Sequence, residues 1–227
     1  MGIGCPCKSG APDVAKIPPS KLFPSIAPSS IQQAEFLAEG GHATVFKVKL
    51  TLYDGSSITA VMKAFIREHV QELRQEVAAY KIFFSCNVKQ IVPQLYAYKV
   101  WTRREWNQKF PSLRLESETG ESKGKITTLF LEYIANAETI SPDNVSTMIA
   151  AKALAAMESI HELGIMHGDI HKHNLLIVPT TGRIVWIDFS AAVTPVDRLE
   201  KWLAFELKGV VDLVYYDNVS NLECFIH

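Results

Sequence analysis

Cysteine is scarce in this chain: there are four among 227 residues, Cys5, Cys7, Cys86 and Cys224. Two lie together near the start and two stand alone. No disulfide framework is visible, and a reducing, cytoplasmic setting is the expectation. An excess of one charge is also missing. Lys and Arg number 23 against 24 Asp and Glu, for a net charge of −1. Nothing global therefore attracts nucleic acid or an anionic membrane. No apolar run reaches the length of a membrane-spanning helix. The opening Met1-Gly2-Ile3-Gly4-Cys5-Pro6-Cys7 lacks the charged segment and apolar core of a secretory signal. Gly2, Cys5 and Cys7 are raw material for lipidation, but Pro6 stands where a myristoylation motif prefers Ser or Thr. Membrane attachment is expected only if those residues are lipidated. What is present is a 48% hydrophobic, 21% charged composition, that of a globular chain sized for one domain or two small lobes.

Residues 1–30 hold six prolines and several serines, cannot sustain a helix or a strand ladder, and read as a disordered tail. From Ile31 the pattern changes. Phe36-Leu37, Thr44–Leu52 and Thr59–Phe65 are β-prone, with Tyr53-Asp54-Gly55-Ser56 as a turn, which predicts an antiparallel meander. Val70, Leu73, Val77, Tyr80 and Phe84 recur at helical spacing within Arg67–Phe84. Leu95–Trp101 and Ile126–Ile134 read as strands. The polar stretch 102–125 between them reads as a hairpin tip or insertion. Ser141-Pro142-Asp143 looks like a helix start, with Ser141 as N-cap and Pro142 at the first helical position. Val145, Ile149, Ala153, Met157 and Ile160 continue it as one stripe, and Gly164 closes it. Leu175–Val178 and Arg183–Ile187 are two short strands, and Pro195 to about Tyr216 is helical by pattern.

The chemistry is concentrated in residues 165–190. Asp169 and Asn174 stand five positions apart and lead into an apolar strand. A second apolar strand then delivers Asp188, followed by Phe189. A phosphotransferase needs such a set: a carboxylate to orient the attacking hydroxyl and accept its proton, beside two oxygen ligands for Mg²⁺. Upstream, Lys63 closes the apolar strand Ala60-Val61-Met62-Lys63, where an ammonium is costly to bury without a partner. Glu68, Glu72 and Glu76 follow at four-residue spacing on the next helix. Glu76, flanked by Leu73, Val77 and Tyr80, borders the buried face and is the preferred partner of Lys63 over Glu72.

In this order the motifs resemble those of the protein-kinase-like superfamily, over about residues 35–215. The resemblance implies an α+β, bilobal fold. An antiparallel β N-lobe with one helix would span 31–134, with 102–125 as an insertion or hairpin tip. A reduced, mainly helical C-lobe would span 135–227. It implies ATP and Mg²⁺ as cofactors, with Asp169 as catalytic base and Asn174 and Asp188 as metal ligands. Lys63 would hold the α- and β-phosphates, paired with Glu76. Leu37-Ala38-Glu39-Gly40-Gly41-His42-Ala43-Thr44-Val45 is similar to the family's glycine-rich loop but keeps only Gly40 of its three glycines, with Gly41 extra; Val45 would cover the adenine. Leu129–Ile134 is similar to the strand where backbone at Glu132 and Ile134 binds adenine and Leu131 is the gatekeeper.

Three departures shape the reading. Gly168 replaces Arg in the family's His-Arg-Asp, so the partner of an activation-loop phosphate is missing. His171 stands two after Asp169, as in aminoglycoside- and choline-type phosphotransferases. Ser190 replaces Gly in Asp-Phe-Gly, and no Ala-Pro-Glu follows. This is similar to compact atypical kinases of the RIO type. Glu206 or Asp212 on the last helix would brace the catalytic loop. The expected activity is transfer of the γ-phosphoryl group to a hydroxyl, on protein Ser/Thr or on a small molecule, with the acceptor itself unread. Two other readings are a pseudokinase acting as an interaction module and a metallohydrolase built on the alternating His167, Asp169, His171 and His173. The metallohydrolase reading leaves Lys63 and Asn174 without a role, and His161-Glu162 lacks the second His of a His-Glu-x-x-His site.

Overall fold

The computed structural model describes residues 27–52, 55–113, 115, 124–194 and 200–216. The tail expected over 1–30, including Gly2, Cys5 and Cys7, lies almost wholly outside the described residues. The described residues fall into two units, one within Ala15–Arg74 and Gln94–Tyr133, the other within Gln75–Pro93 and Ile134–His227.

The first unit is a five-stranded antiparallel sheet in the order β1-β2-β3-β5-β4. The strands are β1 (Ile31–Glu39), β2 (Thr44–Thr51), β3 (Ser57–Phe65), β4 (Leu95–Trp101) and β5 (Ile126–Glu132). Alternation decides which side is covered: Phe46, Val48 and Leu50 of β2 and Ala60, Met62 and Ala64 of β3 are buried together. The stretch read as a polar tip contains a helix, α2 (Arg103–Lys109). Its N-terminus is fixed by a capping box. Thr102 accepts the Glu105 N–H at 3.2 Å, and the Glu105 carboxylate accepts the Thr102 N–H at 2.7 Å. This places Trp106, fully buried, against Trp101 and Phe110, with ring centroids 5.8 and 4.6 Å away. The helix therefore closes the core that the sheet leaves open.

Helix α1 (Val70–Ser85) runs through the division at Arg74/Gln75. Its buried face is Leu73, Glu76, Val77, Tyr80 and Phe83. The expected Phe84 is instead 54% exposed, and Val70 is exposed as well. Four residues on from Tyr80 the helix has turned past the stripe, and three residues on it has not. Tyr80 and Phe83 pack edge-on to Phe189, with centroids 5.9 and 4.9 Å away, so most of the helix joins the second unit.

That unit also holds a three-stranded sheet of β6 (Glu138–Thr139), β7 (Leu175–Val178) and β8 (Arg183–Trp186), with helices α3 (Thr147–Glu162) and α4 (Glu200–Val211). The α3 N-cap is Ser146, which accepts the Ile149 N–H at 3.3 Å, and not Ser141. Ser141 instead opens a turn in which Asn144 Oδ1 accepts its N–H at 2.8 Å. Asn144 satisfies that backbone group without a helix. Ile149, Ala153, Met157 and Ile160 are buried as expected, and Gly164 ends the helix at φ +74°. Residues 195–199, expected to begin the last helix, lie outside the described residues. Among the described residues, no helix is long and apolar enough to cross a membrane.

Candidate active site

The second unit fixes a loop from Met166 to Asn174 by bonds to three separate segments. His167 is fully buried. Its Nδ1 lies 3.3 Å from the Asp169 N–H, which it accepts, so its Nε2 carries the proton donated to Ile187 O at 3.0 Å. Burial holds the His167 pKa below the usual histidine range, against the opposing pull of Glu206. Asn174 is also buried, and its Nδ2 donates to both the backbone oxygen of Asp169 at 3.1 Å and its Oδ2 at 2.8 Å. The exposed Asp169 carboxylate is thereby aimed by its own loop.

The segment carrying Asp188 is stitched to this loop. The Ile187 N–H donates to Asn174 O at 2.9 Å, and Met166 and Val193 exchange backbone bonds at 3.0 and 3.1 Å. Asp188 has a left-handed backbone, φ 63°, and its Oδ1 accepts the Ser190 N–H at 3.2 Å. The positive φ falls on Asp188 and not on position 190. That is why Ser190 can stand where the family has Gly. Phe189 is buried between His167, Tyr80 and Phe83.

Gly168 has a structural reason that the sequence could not show. Its φ is +83°, and a Cβ there would lie 2.2 Å from Ala191 O, so no side chain fits. Its N–H donates to Glu206 Oε1 at 2.6 Å. Glu206 Oε2 accepts the His167 N–H at 2.9 Å and the His161 Nε2–H at 2.6 Å. Burial would raise the Glu206 pKa. The bonds from His161 and from the two backbone N–H groups outweigh it and hold the carboxyl below its usual range. Of the two residues expected to brace the loop, Glu206 does so. His161, read before only as half of a failed metal motif, is its buried partner. The two are 45 residues apart, a pairing that no local pattern signals.

In the first unit, Lys63 is only 7% exposed on β3 and lies directly across from Val45 on β2 and from Leu129 on β5. Gly40 and Gly41 sit in the exposed β1–β2 turn, closed by the Gly40 N–H to Ala43 O bond at 2.9 Å. The Glu132 N–H is donated to Gln94 O at 2.8 Å. The division between units falls next to Ile134. In the second unit Glu76 is 1% exposed, whereas the Glu72 side chain is 27% exposed. A carboxylate as buried as Glu76 requires a cation or donors.

The oxygen donors suit Mg²⁺. Because Asn174 Nδ2 is committed to Asp169, its Oδ1 is the face left to a hard cation, and Asp188 adds a carboxylate. The run His167–His173 does not converge: His167 turns inward, while the His171 and His173 rings lie 4.9 Å apart on the surface.

A two-unit α+β chain with a sheet-borne lysine and this Asp–Asn–Asp loop set defines the class as kinase-like. The family pattern described as Protein kinase domain matches residues 31–202, and the chain belongs to that family. No curated protein sequence matches the chain.

Proposed function

We propose that the protein is an ATP- and Mg²⁺-dependent phosphotransferase of the compact atypical branch, acting on a hydroxyl of protein Ser or Thr. One observation carries this reading: the Asp169 carboxylate is exposed, yet held by Asn174 Nδ2 at 2.8 Å. An acid left in solvent for structural reasons alone needs no such aiming. Asp169 orients the acceptor hydroxyl and takes its proton, while Asn174 Oδ1 and Asp188 hold the cation. Mg²⁺, when bound, neutralises charge on the phosphates. Lys63 holds the α- and β-phosphates. Val45 covers the adenine, and backbone at Glu132 and Ile134 fixes its edge. Catalysis is then positioning and charge neutralisation.

The thin β1–β2 turn favours a second reading, a nucleotide-independent interaction module on the same scaffold. Two measurements separate them. Phosphoryl transfer from labelled ATP to generic protein and small-alcohol acceptors should be lost in Asp169→Asn; equal signals from variant and wild type reject the catalytic assignment. A Mg²⁺-dependent thermal shift with ATP should appear in wild type and vanish in Asp188→Ala. No shift in wild type selects the module.

A further inference from the structure

The first unit contains a second constellation that phosphoryl transfer does not use. His42 lies in the β1–β2 turn, His69 ends the short 3₁₀ turn Arg67–His69, and Glu72 lies in the first turn of α1. One ligand atom from each lies within 4.8 Å of the others. His42 Nδ1 is 3.8 Å from Glu72 Oε1, and the two imidazoles meet edge to face at 5.3 Å and 64°. The other carboxylate oxygen, Glu72 Oε2, is buried with no hydrogen-bond partner. An orphaned acceptor of this kind is expensive unless something else satisfies it.

We propose that His42, His69 and Glu72 form a binding site for a zinc-class divalent cation, which ties the β1–β2 turn to the start of α1. Two imidazoles and a carboxylate are a donor set that such borderline cations prefer, whereas Mg²⁺ and Ca²⁺ prefer all-oxygen sets. Bond lengths of about 2.1 Å in a tetrahedral site put neighbouring donors about 3.4 Å apart. The His42–Glu72 separation therefore needs only a small contraction. The turn can supply it. Gly40 and Gly41 precede His42, and a Cβ on Gly41 would meet nothing within 4 Å, so the backbone there is free to adjust. Three protein ligands leave a fourth position for water or an anion. The site draws on none of the residues assigned to catalysis, so it stands or falls apart from the phosphotransferase reading.

The test is titration of the chelator-stripped full chain with Zn²⁺ against a chromophoric competitor. A Cys5→Ser, Cys7→Ser, Cys86→Ser, Cys224→Ser background removes the thiols that could bind zinc elsewhere. The expected result is one equivalent bound, with Mg²⁺ failing to compete. His42→Ala, His69→Ala and Glu72→Gln should each weaken binding by at least about tenfold. His42 is exposed, so its replacement leaves the fold intact, which unchanged circular dichroism checks. X-ray absorption of the zinc-loaded chain should show nitrogen and oxygen donors with two imidazoles. Binding that survives all three substitutions, sulfur in the metal's shell, or no binding at all overturns the proposal.

Discussion

The β1–β2 turn and the Met166–Asn174 loop are both sharp, glycine-containing connections, and both correspond to functional loops of the family. In the turn, Gly40 N–H closes onto Ala43 O, and a Cβ on Gly41 would point into open space. In the loop, Gly168 is pressed against Ala191, and the neighbouring backbone is held by Glu206, Ile187 and Val193. Gly168 itself departs from the family's Arg, and the close approach of Ala191 O leaves room for no side chain there. In the turn, two of the family's three glycines have been replaced. The loop around Asp169 is rigid, and the turn is left with latitude.

The largest blow to this contrast is Glu206→Ala. It strands the buried His167 N–H, the part-buried Gly168 N–H and the buried His161, and should cost about 3 to 5 kcal/mol in denaturant unfolding. A loss below about 1 kcal/mol would mean that the loop is held by its other bonds. Next is Gly168→Ala, which forces a left-handed conformation on a residue with a Cβ and drives that atom into Ala191. A destabilisation of about 2 to 3 kcal/mol is expected, and a neutral result would show that the loop is as pliable as the turn.

Acid should then act on the loop. His167 and Glu206 both titrate lower in the folded protein than in the unfolded chain. The unfolded chain therefore takes up their protons first, and the stability they provide is lost as pH falls. The decline should begin below about pH 6.5 through His167 and continue below about pH 4.5 through Glu206. A stability profile flat from pH 7 to 5 would remove His167 from this account. The smallest effect belongs to the turn. Gly41→Ala should change unfolding free energy by less than about 0.5 kcal/mol.

Much of this was readable in the chain because the signals are local. Asp169, Asn174 and Asp188 stand at fixed spacings beside apolar strands, and the strands themselves alternate. What escaped did so for definable reasons. Ser141 and Ser146 both offer an N-cap, and Pro142 makes the wrong one attractive. Phe83 and Phe84 are adjacent aromatics, and only the phase of the whole helix separates them. α2 hides among charged residues, although Thr102 and Glu105 spell its capping box. Gly168 seemed to mark only a missing arginine. Its real constraint comes from Ala191 and Glu206, which no window of local sequence connects to it. His42, His69 and Glu72 meet through the fold and not through spacing.

The bond from Gly168 to Glu206 spans 38 residues, and this sets an order of events during synthesis. As the nascent chain leaves the ribosome, Asp169 emerges well before the carboxylate that fixes its loop. Strands β1, β2 and β3, joined by hairpins, can pair while the loop is still slack, because short closures form early and long ones late. A chain halted at residue 202, where the family match ends, would carry every residue proposed for catalysis and lack the Glu206 carboxylate that holds the backbone of His167 and Gly168 beside Asp169.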